Sequence, residues 1–295
     1  AASFAFRHVV FPDGADDPRV AVNMAPLSAR CAGDPSNDLT RGEYECVQWL
    51  FARAGLDVDQ YRPETVKRRL PACTRALRLQ CIEDVCTAVR RKPELLALAI
   101  NALVIGVTCF FRDPTVFAAI DDTVLPEILR LTSAPRVWSV ACSDGAELYS
   151  IAMLLASKGV LPRANLVGTD CRTEGLDRAR AGNYETAAVK HVPPELVERY
   201  MSFDGTRWQV APVLRTGIHW RLRNALAEPE PGPWDLILCR NVAIYLQPQA
   251  VGRLWGRLAS ALRPGGFLVL GKAERPYGAT RLRPVGPCVY QREWS

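Results

Sequence analysis

Apolar positions in this chain follow one period early and another later, and the change divides it. From Thr40 the spacing is helical, with Tyr44, Val47, Leu50, Phe51 and Ala54 on one face. Thr40-Arg41-Gly42-Glu43 has capping-box spacing, in which a hydroxyl and a carboxylate satisfy free first-turn amides, and Gly55 ends the helix. Pro63 is a good first-turn residue and opens a second helix, which Pro71 is expected to kink or restart. Ile82, Val85, Cys86 and Val89 mark a third helix; a fourth opens at Pro93 and runs through Leu95, Leu96, Ala99 and Leu103. Together they predict a small helical domain. Residues 1–38 are rich in Pro, Asp, Gly and Ala and read as an irregular extension.

After Pro135 short apolar runs alternate with helical stretches. Arg136–Cys142, Asn165–Asp170, Trp234–Cys239 and Phe267–Gly271 read as strands. Ala146–Lys158, a segment ending at Gly182, and Gln249–Leu262 read as helices, with Arg263-Pro264-Gly265-Gly266 as a turn. Thr280–Val285 and Cys288–Glu293 suit an antiparallel hairpin around Gly286-Pro287. Such alternation predicts an α/β fold whose parallel sheet is covered on both faces. Trp138, Trp234 and Trp255 are expected in its core.

Composition narrows the class. Hydrophobic residues make up 48% and charged residues 23% of 295, the balance of a soluble globular protein. No apolar run reaches the ~18–20 residues of a bilayer span, so no membrane insertion is expected. No basic region followed by a long apolar core marks a signal peptide. Ten cysteines without a Cys-x-x-Cys pair, and only three histidines, argue against structural zinc or a disulfide framework. Reduced thiols in the cytoplasm fit better, with no metal. The net charge of +6 slightly favours acidic partners and gives no case for nucleic acid.

In a doubly wound sheet, ligands bind at the carboxyl ends of strands where strand order reverses. The Ser143-Asp144-Gly145 turn, Asp170 and Arg240-Asn241 all fall at such ends. A carboxylate at Asp170 can accept from both hydroxyls of a ribose; taken alone, it serves equally well as a helix N-cap. No G-x-G-x-x-G follows the first strand, which disfavours a dinucleotide.

Several ordered segments now resemble a known family. Thr108-Cys109-Phe110-Phe111-Arg112-Asp113, Cys142 to Ser150, Gly168-Thr169-Asp170 and Cys239 to Leu246 look like the signature segments of CheR-type chemotaxis methyltransferases. Leu262-Arg263-Pro264-Gly265-Gly266 and Gly271-Lys272-Ala273-Glu274 match the family's closing motifs, and the similarity runs from about Thr40 to about Glu274. The resemblance implies a class I methyltransferase domain over 108–295, a helical N-terminal domain over 39–107 and a short antiparallel insertion at about 200–223. It implies S-adenosylmethionine as cofactor, S-adenosylhomocysteine as product, and protein-glutamate O-methylation of chemoreceptors.

Carried over by position, Thr108, Arg112, Ala141, Ser143, Glu147, Asp170, Asn224, Ala225, Arg240 and Asn241 surround the cofactor, with Asp170 on the ribose and Asn224-Ala225 beside the adenine. Arg112 and Tyr245 are the catalytic candidates, facing the methyl group and the incoming carboxylate. Arg68, Arg69, Arg75 and Arg78, with Lys67, form a basic cluster that in relatives faces the acidic receptor; a solvated helix face is the competing reading. The sequence departs from the family pattern at Gly106, Ala141, Asp144, Ala146 and Leu148, where weaker cofactor binding is expected. The acceptor is then an acidic helical receptor-like protein or a small carboxylate. A non-catalytic cofactor binder is the remaining alternative.

Overall fold

The computed structural model describes residues 38–106, 108–278 and 281–294. The extension expected over 1–38 lies outside the described residues apart from Asp38.

Helix α1 (Arg41–Arg53) starts at the anticipated capping box, with both reciprocal hydrogen bonds of Thr40 and Glu43 present. After a 3-10 turn at Val58–Gln60 come α2 (Pro63–Leu77), α3 (Ile82–Arg91) and α4 (Leu95–Leu103). Pro71 does not restart the helix, since α2 runs through it as one element. The reason is packing: Thr65, Val66, Leu70 and Cys73 bury one continuous face, and that face holds the turn whose amide proline lacks. Val47, Leu50, Val66, Leu70, Val85 and Leu103 belong to a core of this helical part.

Three joined pieces that the sequence pattern had not announced lead into the sheet: α5 (Pro114–Ala119), a π-turn at Ile120–Val124 and α6 (Leu125–Leu131). The alternating part follows as β1 (Arg136–Val140), α7 (Ala146–Ser157), β2 (Asn165–Asp170), α8 (Thr173–Ala181), β3 (Asn183–Tyr184), α9 (Thr186–Val189), α10 (Pro194–Tyr200), β4 (Met201–Phe203), β5 (Trp208–Val210), α11 (Pro212–Arg215), β6 (Ile218–Leu222), β7 (Trp234–Cys239), α12 (Pro248–Ala261), β8 (Leu262–Leu270), β9 (Leu282–Gly286) and β10 (Val289–Arg292).

Seven strands form one sheet in the order β6-β2-β1-β7-β8-β10-β9. The first five are parallel, and β10 pairs antiparallel with β8 and β9, as expected for the hairpin. Two boundaries differ from the sequence reading. Strand β8 takes in the anticipated turn, whose trace is a register jump: Trp234 pairs with Leu262 and Leu236 with Phe267. The small antiparallel sheet is β3-β5-β4, so it recruits Asn183-Tyr184 from well before residue 200. Ile218–Leu222 is instead the edge of the main sheet, paired with β2. Pairing partners are set by three-dimensional proximity, which a local pattern does not carry.

One sheet face packs on Val137, Leu166, Leu236 and Val269 with α7, the other on Trp138, Ile237 and Leu268 with α12. Trp138, Trp234 and Trp255 are at most 1% exposed, as core residues should be. Tyr61 packs against both the helical core and the α12 face, joining the two parts of the chain. Among the described residues no helix is long and apolar enough to cross a membrane.

Candidate active site

The sheet reverses its winding about β1, with β2 on one side and β7 on the other, so the carboxyl ends of these strands make the crevice. A single cavity lies there, walled by the loop after β1, the ends of β2, β6 and β7, and the helical part. All ten residues expected around the cofactor line it, from Thr108 to Asn241, together with Tyr245.

The loop after β1 is built in the left-handed region. Ala141, Ser143 and Gly145 have φ of 51°, 55° and 84°. A side chain at Gly145 would meet the Trp220 ring at 2.5 Å and Ala179 at 2.8 Å, so only glycine fits the turn into α7. Ala141 has no such excuse: it holds a conformation that favours glycine, with its methyl exposed. The Cys142 amide donates to the Thr169 carbonyl at 2.9 Å, tying the loop to β2. Burial raises the pKa of Asp144, and the Ala146 amide at 3.3 Å opposes this by donating to the carboxylate.

At the end of β2, Asp170 is 3% exposed. Its Oδ2 accepts from the Ser143 amide at 2.8 Å, and its Oδ1 from the Arg172 amide at 2.9 Å and Arg172 Nε at 3.1 Å. The Arg172 side chain, itself a cavity-wall residue, was not anticipated; no local motif distinguishes it from the other arginines of the chain.

The third wall follows β7. Arg240 is buried and donates to the Arg112 carbonyl at 2.7 Å, to Asp113 at 2.8 Å and to Glu147 at 3.3 Å. Arg240 thus braces the signature segment 108–113 against α7. Burial pushes the Glu147 carboxyl up, while Arg240 and the Ser139 hydroxyl at 2.9 Å pull it down. Phe110 and Phe111 anchor the same segment in the core, the latter by its amide on Ser150 Oγ at 3.0 Å. Arg112 and Thr108 are left half-buried at the cavity.

Asn241 has φ 59° and opens the turn that carries Tyr245. Glu274 fixes this turn by accepting amides from Asn241, Val242, Ala243 and Gly271 at 2.7–2.8 Å. This gives a physical role to the Gly271-Lys272-Ala273-Glu274 motif that the sequence matched without one.

The helical part closes the remaining side. Phe51, Tyr61, Val66 and Leu103, with Leu226 and Leu254, line an apolar slot of the cavity. The sequence marked none of these helical residues for the site; Phe51 and Leu103 were read only as apolar-face positions of their helices. Burial drives the Tyr61 phenol far above its ordinary value. The Tyr61–Arg62 segment runs beside the motif turn: Arg62 donates its amide to the Tyr245 carbonyl at 2.9 Å. Asn224 lines the cavity, yet its amide group donates to the Gly55 carbonyl at 3.1 Å and accepts from the Leu226 amide at 3.0 Å. Its side chain therefore shapes the wall and docks the helical part, and Ala225 beside it presents an apolar surface.

The basic cluster is elsewhere and is not uniform. Arg68, Arg75 and Arg78 are exposed. Lys67 is engaged by Glu43 at 2.9 Å, and Arg69 donates to the Ala102 carbonyl at 2.9 Å.

S-adenosylmethionine asks for an acceptor beside two ribose hydroxyls, an apolar slot for a flat base and acceptors for an ammonium group. The cavity offers Asp170, the slot under Tyr61, and Asn241 Oδ1, which is buried without a hydrogen-bond partner among the described residues. The residues suit that cofactor.

Two family descriptions match the chain: "CheR methyltransferase, SAM binding domain" over residues 106–284, and "CheR methyltransferase, all-alpha domain" over residues 45–104. A chemotaxis protein methyltransferase of Vibrio parahaemolyticus is 30% identical over 243 residues, 79% of this chain and 88% of its own length. Chemotaxis protein methyltransferase 2 of Pseudomonas aeruginosa is 32% identical over 269 residues, 88% of this chain and 95% of that protein. An uncharacterized 104.1 kDa protein of Rhodobacter capsulatus is 30% identical over 279 residues, 89% of this chain, and the chain spans only 28% of that protein's length.

Proposed function

The chain belongs to the CheR family of S-adenosylmethionine-dependent methyltransferases, and from that premise we propose that it esterifies carboxylates, the glutamate side chains of an acidic, helical, chemoreceptor-like protein. The observation that carries this reading is the placement of Arg112 and Tyr245 on the same cavity as Asp170 and the partnerless Asn241 Oδ1.

When bound, the cofactor supplies an electrophilic methyl group on a sulfonium. A glutamate carboxylate is ionised near neutral pH, so none of the cavity residues has to take a proton from it. The task left to the protein is alignment, worth ~7–11 kcal/mol at the upper range for ideally oriented groups. In this reading Asp170 holds the ribose, the Tyr61–Leu254 slot takes the base, and Asn241 Oδ1 accepts from the ammonium group. Arg112 steers the acceptor carboxylate by charge-assisted hydrogen bonding. Too firm a hold would stabilise the ground state and slow transfer. The Tyr245 hydroxyl, from the same cavity, donates a hydrogen bond to the acceptor carboxylate.

The test uses cofactor carrying a labelled methyl group and a receptor cytoplasmic fragment, with base-labile methyl ester as the readout. Label should appear in the ester. Arg112→Ala and Tyr245→Phe should each lower turnover while leaving affinity for S-adenosylhomocysteine within a few fold, the Arg112 loss being larger. Binding of S-adenosylhomocysteine without ester from any acceptor would sink the enzyme reading. A second acceptor class, small-molecule carboxylates, is favoured by one observation: Lys67 and Arg69 are committed to contacts within the protein, which thins the basic face a receptor would meet. Ester formed on small carboxylates and not on the receptor fragment would decide for it.

A further inference from the structure

Asp170 is asked to receive two ribose hydroxyls, yet its oxygens already have donors. Oδ1 accepts from the amide and Nε of Arg172; Oδ2 accepts from the Ser143 amide, with Arg172 Nη2 at 3.4 Å. A carboxylate offers about four lone-pair positions. The two amides are fixed in the backbone, so the side chain of Arg172 is the donor that can yield. Arg172 is 5% exposed and Asp170 3%, so the pair is shielded from the water that would weaken it.

The seat of the guanidinium is made by a missing side chain. A Cβ at Gly106 would collide with Arg172 Nη1, Nη2 and Cζ, whereas Gly106 has no positive φ that would itself require glycine. Gly106 and Arg172 therefore form a matched pair: the space of one is the volume of the other. Both border the cavity, and Ser143 Oγ donates to the Gly106 carbonyl at 3.2 Å.

We propose that Arg172 is a positioning residue for the cofactor: seated over Gly106, it occupies Asp170 in competition with the ribose hydroxyls and so sets how tightly the cofactor binds. The inference rests on the reading of Asp170 as the ribose acceptor. The weak cofactor grip expected from the sequence departures then has a definite source. It lies in a side chain that competes for the acceptor, and it can be relieved from either partner.

The experiment is calorimetric titration of the full chain with S-adenosylhomocysteine and with its 2′,3′-dideoxy analogue, followed by steady-state kinetics. Arg172→Ala should bind S-adenosylhomocysteine about tenfold more tightly, because Asp170 then meets the hydroxyls unopposed. The dideoxy analogue, which lacks the competing donors, should bind Arg172→Ala and the parent protein alike. Gly106→Ala keeps both charges and evicts the guanidinium from its seat, so it should shift affinity in the same direction. The double variant should be no tighter than Arg172→Ala. In turnover, the Michaelis constant for the cofactor should fall and the rate constant stay. If Arg172→Ala leaves a buried carboxylate that prevents folding, Gly106→Ala still decides. Weaker binding of S-adenosylhomocysteine by either variant, or an equal gain with the dideoxy analogue, overturns the proposal. Asp170→Asn separates the two levels: unchanged affinity there removes Asp170 from the ribose, whereas a loss there with no gain in the Arg172 and Gly106 variants rejects the competition alone.

Discussion

Asp144 stands at the head of α7 with its carboxyl driven up by burial and held partly in check by the Ala146 amide. A carboxyl whose folded pKa lies above its unfolded value stabilises the fold below the unfolded pKa, and that contribution is lost as pH rises through the folded pKa. At neutral pH Asp144 therefore weakens the protein. Asp144→Asn keeps an oxygen for the Ala146 amide and carries no charge to desolvate, so it should melt higher than the parent at neutral pH. The two melting temperatures should converge as pH falls below about 4, where the carboxyl is protonated in either state. Scanning calorimetry across pH 3–8 checks this; a difference independent of pH would mean that something other than the charge is at work. Ala141 adds a backbone cost in the same loop, at φ 51°. Left-handed placement of a non-glycine residue costs about 1–2 kcal/mol. Both residues show that the loop after β1 carries local cost, one in its backbone and one in a buried charge.

Helix α2 shows how an element overrides its own sequence. Pro71 has no amide to give to the carbonyl four residues earlier, at Lys67, and its ring crowds that carbonyl. The helix persists because Thr65, Val66, Leu70 and Cys73 are buried together against the helical core. Pro71→Ala should restore the bond and stabilise the protein by up to about 3 kcal/mol, seen as a melting temperature several degrees higher. An unchanged value would place the compensation in the unfolded chain, which proline also stiffens. The turn carrying Asn241 to Tyr245 makes the complementary point. Its residues hold their places because Glu274, more than thirty positions later, gathers four amides onto one carboxylate.

At the scale of the whole molecule, the net charge of +6 concentrates part of its excess on α2, where Arg68, Arg75 and the cap residue Arg78 are exposed away from the cavity. If this face captures an acidic protein, Arg68→Glu together with Arg75→Glu should lower turnover on the receptor fragment and flatten its salt dependence, with cofactor affinity unchanged. Turnover indifferent to both changes would reduce the face to solvated surface. Arg69 is left out because its Nε bond to the Ala102 carbonyl ties α2 to the end of α4, so replacing it would confound docking with stability.

The period of the apolar residues and the caps determined, unaided, the helices α1 to α4, the strands at Asn165–Asp170 and Trp234–Cys239, and the parallel winding of the sheet. These are local or near-local consequences of burial and of amides that need partners. The ordered motifs marked the strand ends that face the crevice, and every marked cofactor residue lines the cavity. Four features needed the folded chain. They are the partner strands of the small sheet, the continuity of α2 through Pro71, the apolar slot lent by Phe51, Tyr61 and Val66, and the seating of Arg172 over Gly106. Each depends on which distant groups come within a few ångströms, and on whether one side chain leaves room for another. A linear pattern records the size and polarity of a residue; only packing decides which residue it must share space with.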